Sequence, residues 1–105
     1  VKLKGKVTRA IDGDTVKVEI SVRLNKIDAP EITGIERELG LITKDYLEEK
    51  LTGKWITLVG DENDRYYRFL ADILLGSESI TEDLLEKKLV ERYTPANHNN
   101  GKLDL

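Results

Sequence analysis

Residues 12–31 read DGDTVKVEISVRLNKIDAPE, and the way this stretch turns decides the fold. Val16, Val18, Ile20, Val22 and Leu24 alternate without a break. That pattern fits one long strand, or two strands over 15–20 and 21–27 that reverse near 19–21. No Gly, Asn or Asp occupies the reversal, which disfavours a tight two-residue turn. A three-residue loop would set Val18 opposite Val22 and Val16 opposite Leu24, keeping one apolar face; a two-residue loop would set Val18 against Arg23. The odd loop is the reading adopted here. It also raises a chemical question, because Asp14 and Asp28 would then stand at the same end of two neighbouring strands.

The rest of the chain gives a simple element order. Residues 1–11 alternate loosely as a strand. Residues 34–53 carry Leu39, Ile42, Tyr46, Leu47 and Leu51 at helical spacing, with Gly40 interrupting and Gly53 placed to end the helix. Strands are expected over 54–60 and 66–75, with turns at 61–64 and 76–79. A second helix is expected over 80–92, where Ser79 and Glu82 have capping-box spacing. The order β-β-β-α-β-β-α is that of a mainly β, α+β fold: a five-stranded OB barrel with helices, or an open α+β sheet. Phe69 is expected in the core, and Trp55 in the core or at its edge.

The chain has 105 residues, so a single domain, 1–105, is expected. It has no Cys, which excludes disulfides and thiolate metal sites. No apolar run approaches the ~18 residues of a membrane span, and no signal peptide is seen. The chain begins at Val1 and contains no Met, and is read as a trimmed or processed product. A net charge of -3 and a pI near 5.2 argue against gripping nucleic acid through bulk positive charge. Any polyanion would be held locally, by a few Arg or by a metal ion.

Several residues could do this together. Asp12, Gly13 and Asp14 read first as a polar turn between strands, and Arg23 as a solvated strand charge. Read jointly, converging Asp14 and Asp28 would repel unless a cation sat between them. A hard divalent ion with oxygen ligands, such as Ca²⁺, resolves that repulsion. The stiff Ala29 and Pro30 unit could aim the Ala29 carbonyl at the same ion and present Glu31 beside it. Arg23, and Arg68 from the segment DRYYR (64–68), would face a phosphate.

DGDTVKV, VRLNKIDAPE and DRYYR, in this order, resemble the staphylococcal nuclease (thermonuclease) family over residues 5–97 or so. The resemblance implies an OB barrel and a nuclease that hydrolyses DNA and RNA, single-stranded or locally open, to 3′-phosphate products with Ca²⁺. It implies Asp14 and Asp28 as calcium carboxylates, the Ala29 carbonyl as a further ligand and Asp12 in an outer shell. Glu31 corresponds to the candidate general base, and Arg23 and Arg68 to the phosphate-binding arginines. Arg65, Tyr66 and, more loosely, Tyr93 correspond to residues beside the nucleotide.

The sequence departs from the family at three points. Tyr67 stands where a Gly is usual, a position that can require positive φ. The loop between the second and third strands is short. The C-terminal helix is cut short after TPANHNN, and His98, the only His, is given no role. A monomer is expected, and secretion would suit the resemblance. The competing readings are a non-catalytic OB module that binds nucleic acid or protein, and a structural domain with a vestigial site.

Overall fold

Asp12 and Asp14 turn the chain at Gly13, and the first two strands fold onto each other there. The computed structural model describes residues 2–93. Strands β1 (Lys6–Asp12) and β2 (Thr15–Glu19) form a two-stranded antiparallel ribbon with Ala10 opposite Val16 and Val7 opposite Val18. Two register shifts in β1 bend it. Every residue of the ribbon is exposed, Val7, Val16 and Val18 included.

A second sheet is built around β6 (Phe69–Leu75). Strand β3 (Val22–Leu24) runs parallel to it, setting Arg23 opposite Leu70, and the Phe69 N–H donates to the Ser21 carbonyl at 2.7 Å. On the other edge β6 pairs antiparallel with β5 (Thr57–Asn63), and at its end with the short β7 (Glu78–Ser79). A third pairing joins β4 (Ile27–Asp28) to β8 (Glu91–Arg92), with Asp28 opposite Glu91. Two helices complete this mixed α+β fold: α1 (Arg37–Leu51), entered through a 3-10 turn at Gly34–Glu36, and α2 (Ile80–Glu86).

The core lies where these helices meet the second sheet. Ile27, Ile73, Ile80, Leu84 and Val90 are buried together, with Tyr46, Leu47 and Leu51 of α1 packed on them. Ile80 and Leu84 are fully buried, each worth about 1.5–3 kcal/mol relative to exposure. Asp83 is buried too. It accepts from Lys50 at 2.8 Å, from Lys87 at 2.5 Å and from the Tyr46 hydroxyl, tying α2 to α1. Burial works against its charge, but the two ammonium groups and the phenol hold its carboxyl well below the usual carboxylate range.

Several sequence expectations change. The hairpin between the second and third strands does not form: among the described residues β2 pairs only with β1, and β3 takes β6 instead. Residues 19–21 contain nothing that favours a tight reversal, and Ser21 is held by Phe69. The closed five-stranded barrel is therefore not found. Strand β5 runs through 61–63, so the turn falls at 64–67. Trp55 is almost wholly exposed rather than at the core, whereas Phe69 is buried. The second helix stops at Glu86, because Lys88 takes φ 58° and the Leu89 N–H closes back on the Leu84 carbonyl at 3.0 Å. The expected capping of that helix is present, with Ser79 Oγ accepting the Glu82 N–H at 3.2 Å. His98 and the shortened C-terminal helix lie outside the described residues.

Candidate active site

Where β3 leaves the sheet, the chain passes through β4 and the Pro30 bend over a cavity of about 360 Å³. Arg23, Asp28, Ala29, Glu31 and Arg68 all line it, above a floor that includes Leu84. Arg23 lies within β3 and Arg68 immediately precedes β6, so the parallel β3–β6 pairing brings both arginines to the same cavity.

Each arginine is already oriented by protein oxygens. Arg23 Nη1 donates to the Leu24 carbonyl at 2.6 Å and the Ile27 carbonyl at 3.3 Å, while Nη2 lies 3.9 Å from the Asp28 carboxylate. Arg68 Nε donates to Asp64 Oδ2 at 2.6 Å. The turn before Arg68 requires Tyr67 at φ 64°, the left-handed conformation anticipated for a position where Gly is usual. Burial opposes charge on Asp64, but the Arg68 and Tyr66 N–H groups and the Arg68 guanidinium hold its carboxyl below the usual range.

Glu31 is fixed through its backbone. Its N–H donates to Glu36 Oε2 at 2.8 Å. Its carbonyl lies so close to α1 that a Cβ on Gly40 would come within 2.2 Å of the oxygen. Gly40, which looked like an interruption of the helix, is thus the place where the Glu31 segment rests on it. Neither Glu36 nor Gly40 was singled out from the sequence; the signal for Gly40 was its position inside an otherwise strong helix.

The remaining candidates stand elsewhere. Asp12 and Asp14 occupy the ribbon tip, off the lining of this cavity. There Asp12 Oδ1 accepts the Asp14 N–H at 3.3 Å and Asp14 Oδ1 accepts from Thr15 at 3.0 Å. Hydrogen bonds from Asp14 and Thr15 hold the Asp12 carboxyl below its ordinary value. Among the described residues no three acidic or imidazole side chains stand together as a metal site. A Ca²⁺ ion takes six to eight oxygens, so Asp28 and the Ala29 carbonyl do not by themselves fit that ion in this arrangement. Tyr66 carries Arg65 and Arg68 over its ring, with Cζ to centroid distances of 4.9 and 5.4 Å. Tyr93 follows β8, its N–H donating to the Lys26 carbonyl at 2.9 Å.

Known proteins resemble this chain over most of its length. The family described as staphylococcal nuclease homologue matches residues 21–104. An uncharacterized endonuclease of Escherichia coli O157:H7 is 33% identical over 76 residues, covering 68% of this chain and 48% of that protein. The thermonuclease of Staphylococcus hyicus is 34% identical over 94 residues, covering 80% of this chain and 56% of the enzyme. An uncharacterized protein of Methanocaldococcus jannaschii is 28% identical, covering 94% of this chain and 61% of that protein. The chain thus spans about half the length of the curated relatives it matches. No helix among the described residues is long and apolar enough to cross a membrane. With most of its length inside the family match, and with that family's endonuclease and thermonuclease relatives, this chain belongs to the staphylococcal nuclease family.

Proposed function

We propose that this chain is a calcium-dependent phosphodiesterase that hydrolyses DNA and RNA to 3′-phosphate products. One observation carries the reading: Arg23, Arg68 and Glu31 line a single cavity with Asp28 and Ala29. A phosphodiester anion repels an attacking hydroxide, and two guanidiniums neutralise it where charge grows in the transition state. Their planar forks match phosphate oxygens. Arg23 exchanges its neutral carbonyl partners for the anion, a stronger acceptor. Arg68 presents the edge of its fork that Asp64 does not hold. Glu31 takes a proton from water, a role worth roughly 10²–10⁴ in rate. Arg65, Tyr66 and Tyr93 contact the nucleotide.

Calcium enters this reading through the resemblance, with Asp14, Asp28 and the Ala29 carbonyl as ligands and Asp12 outside them. The ligand set is complete only when the ribbon carries Asp14 to Asp28, as it would in an OB barrel where β2 pairs with β3. The free apolar residues of the ribbon support such a closure. The test is cleavage of single-stranded DNA with Ca²⁺ and with EGTA. Cleavage abolished by EGTA is expected; cleavage indifferent to the chelator removes calcium, and no cleavage under either condition overturns the reading.

A second reading, a non-catalytic OB module that binds nucleic acid or protein, is favoured by the position of Asp12 and Asp14 off the cavity. It predicts nucleic-acid binding without turnover in the same experiment.

A further inference from the structure

Tyr67 holds a backbone conformation that a bulky side chain adopts only at a cost, and its ring is exposed. Gly would carry the same turn without that cost. The ring also takes no part in the core. What it does contact is Lys4, whose Nζ lies 5.7 Å from the ring centroid. The two groups belong to a cleft of about 450 Å³ at the root of the ribbon, lined also by Lys6, Glu19, Ser21 and the exposed Tyr66. Glu19 is paired across the ribbon with Lys6, and the cleft's lining carries two lysines and one carboxylate. Tyr66 in turn lies under Arg68, which lines the arginine cavity.

Adjacent exposed rings with cations beside them suit a strand whose bases are unstacked and whose phosphates run alongside. A duplex offers no free base faces. We propose that Tyr67 and Lys4 form a subsite for single-stranded nucleic acid, Tyr67 stacking on a base and Lys4 meeting the adjoining phosphate. This subsite rests on the arginine cavity being the phosphodiester site, and extends it by at least one nucleotide.

The test is equilibrium binding of a fluorescent thymidine octamer in EDTA, read by anisotropy, which requires no cleavage. Tyr67→Gly should weaken binding about five- to tenfold, within the range of one lost base stack. Tyr67→Phe should bind as the native chain does, and Lys4→Ala should bind about two- to threefold more weakly. Tyr67→Gly should also melt at a higher temperature, which separates lost stacking from lost folding. The octamer should bind at least tenfold more tightly than the same length of duplex. Native-strength binding by Tyr67→Gly, or equal binding of duplex, overturns the subsite. A native chain that binds the octamer in this Tyr67-dependent way yet cleaves nothing with Ca²⁺ leaves the subsite standing and removes the nuclease reading instead.

Discussion

Asp64 holds Arg68 from two sides: Oδ2 accepts the guanidinium Nε–H at 2.6 Å, and Oδ1 accepts the backbone N–H at 3.0 Å. The same Oδ1 accepts the Tyr66 N–H at 2.8 Å, so one carboxylate closes the turn and sets the arginine's direction. A surface ion pair of this kind contributes little to stability, but an arginine meeting a transition state contributes to rate. Lysine keeps the charge and loses the fork. Arg23→Lys and Arg68→Lys should each lower kcat by at least ~10²-fold, about 2.7 kcal/mol of barrier, with melting temperature almost unchanged. Steady-state kinetics on single-stranded DNA decides this; near-native rates in both variants would place the guanidiniums away from the scissile phosphate.

Glu31 is held by its backbone rather than its carboxylate, through Glu36 and the gap at Gly40. Glu31→Gln should therefore leave the loop and substrate binding intact and lower turnover roughly 10²–10⁴-fold. Oligonucleotide affinity measured beside single-turnover cleavage separates the two effects. Unchanged turnover assigns the proton to another group.

The Asp83 cluster gives a pH-dependent stability. Its folded pKa is depressed, so its contribution is present above the unfolded carboxylate value near 3.9 and is lost as pH falls below it. The Lys50 ammonium, pushed up by Asp83 and Glu78, contributes below its ordinary value and loses that contribution only in strong alkali. Asp83→Asn should cost about 2 kcal/mol near neutrality, roughly 10 °C in melting temperature. It should also flatten the acid limb of a melting-temperature profile. An unchanged acid limb would mean that other carboxylates govern acid unfolding.

Calcium should bind weakly alone and more tightly when a nucleotide phosphate is present, because the phosphate adds oxygens to a sparse donor set. Asp14→Ala should weaken that binding further. Isothermal titration with and without thymidine 5′-monophosphate measures both. An Asp14→Ala chain that binds calcium as the native chain does removes Asp14 from the ligand set.

The local parts of this fold were legible because they depend on neighbours in sequence. Asp12, Gly13 and Asp14 make a turn, Ser79 caps α2, Gly53 follows α1 in a left-handed conformation, and Tyr67 takes the positive φ anticipated for it. The partner of β3 was not legible, since alternation around Val22 says which face is apolar but not which strand lies alongside. The end of α2 was hidden for another reason: Lys88 occupies the left-handed position where Gly would have announced a stop. At the site, the residue types around Arg23, Asp28, Glu31 and Arg68 could be read from motif spacing. The cavity they share, and the position of Asp14 off it, depend on how the ribbon meets the second sheet.

The pairing of β3 with β6, and of β4 with β8, also has a kinetic side. Arg23 and Asp28 are held by strands that leave the ribosome long after they do. Such non-local contacts require closure of large loops before they return any free energy, which slows folding. While the chain is being made, β1 and β2 can pair at once, but the arginine cavity cannot exist until β6 has emerged, nor its β4 wall be pinned until residues 91 and 92 follow. The nascent domain would therefore carry an unassembled arginine cavity until residues 91 and 92 have emerged.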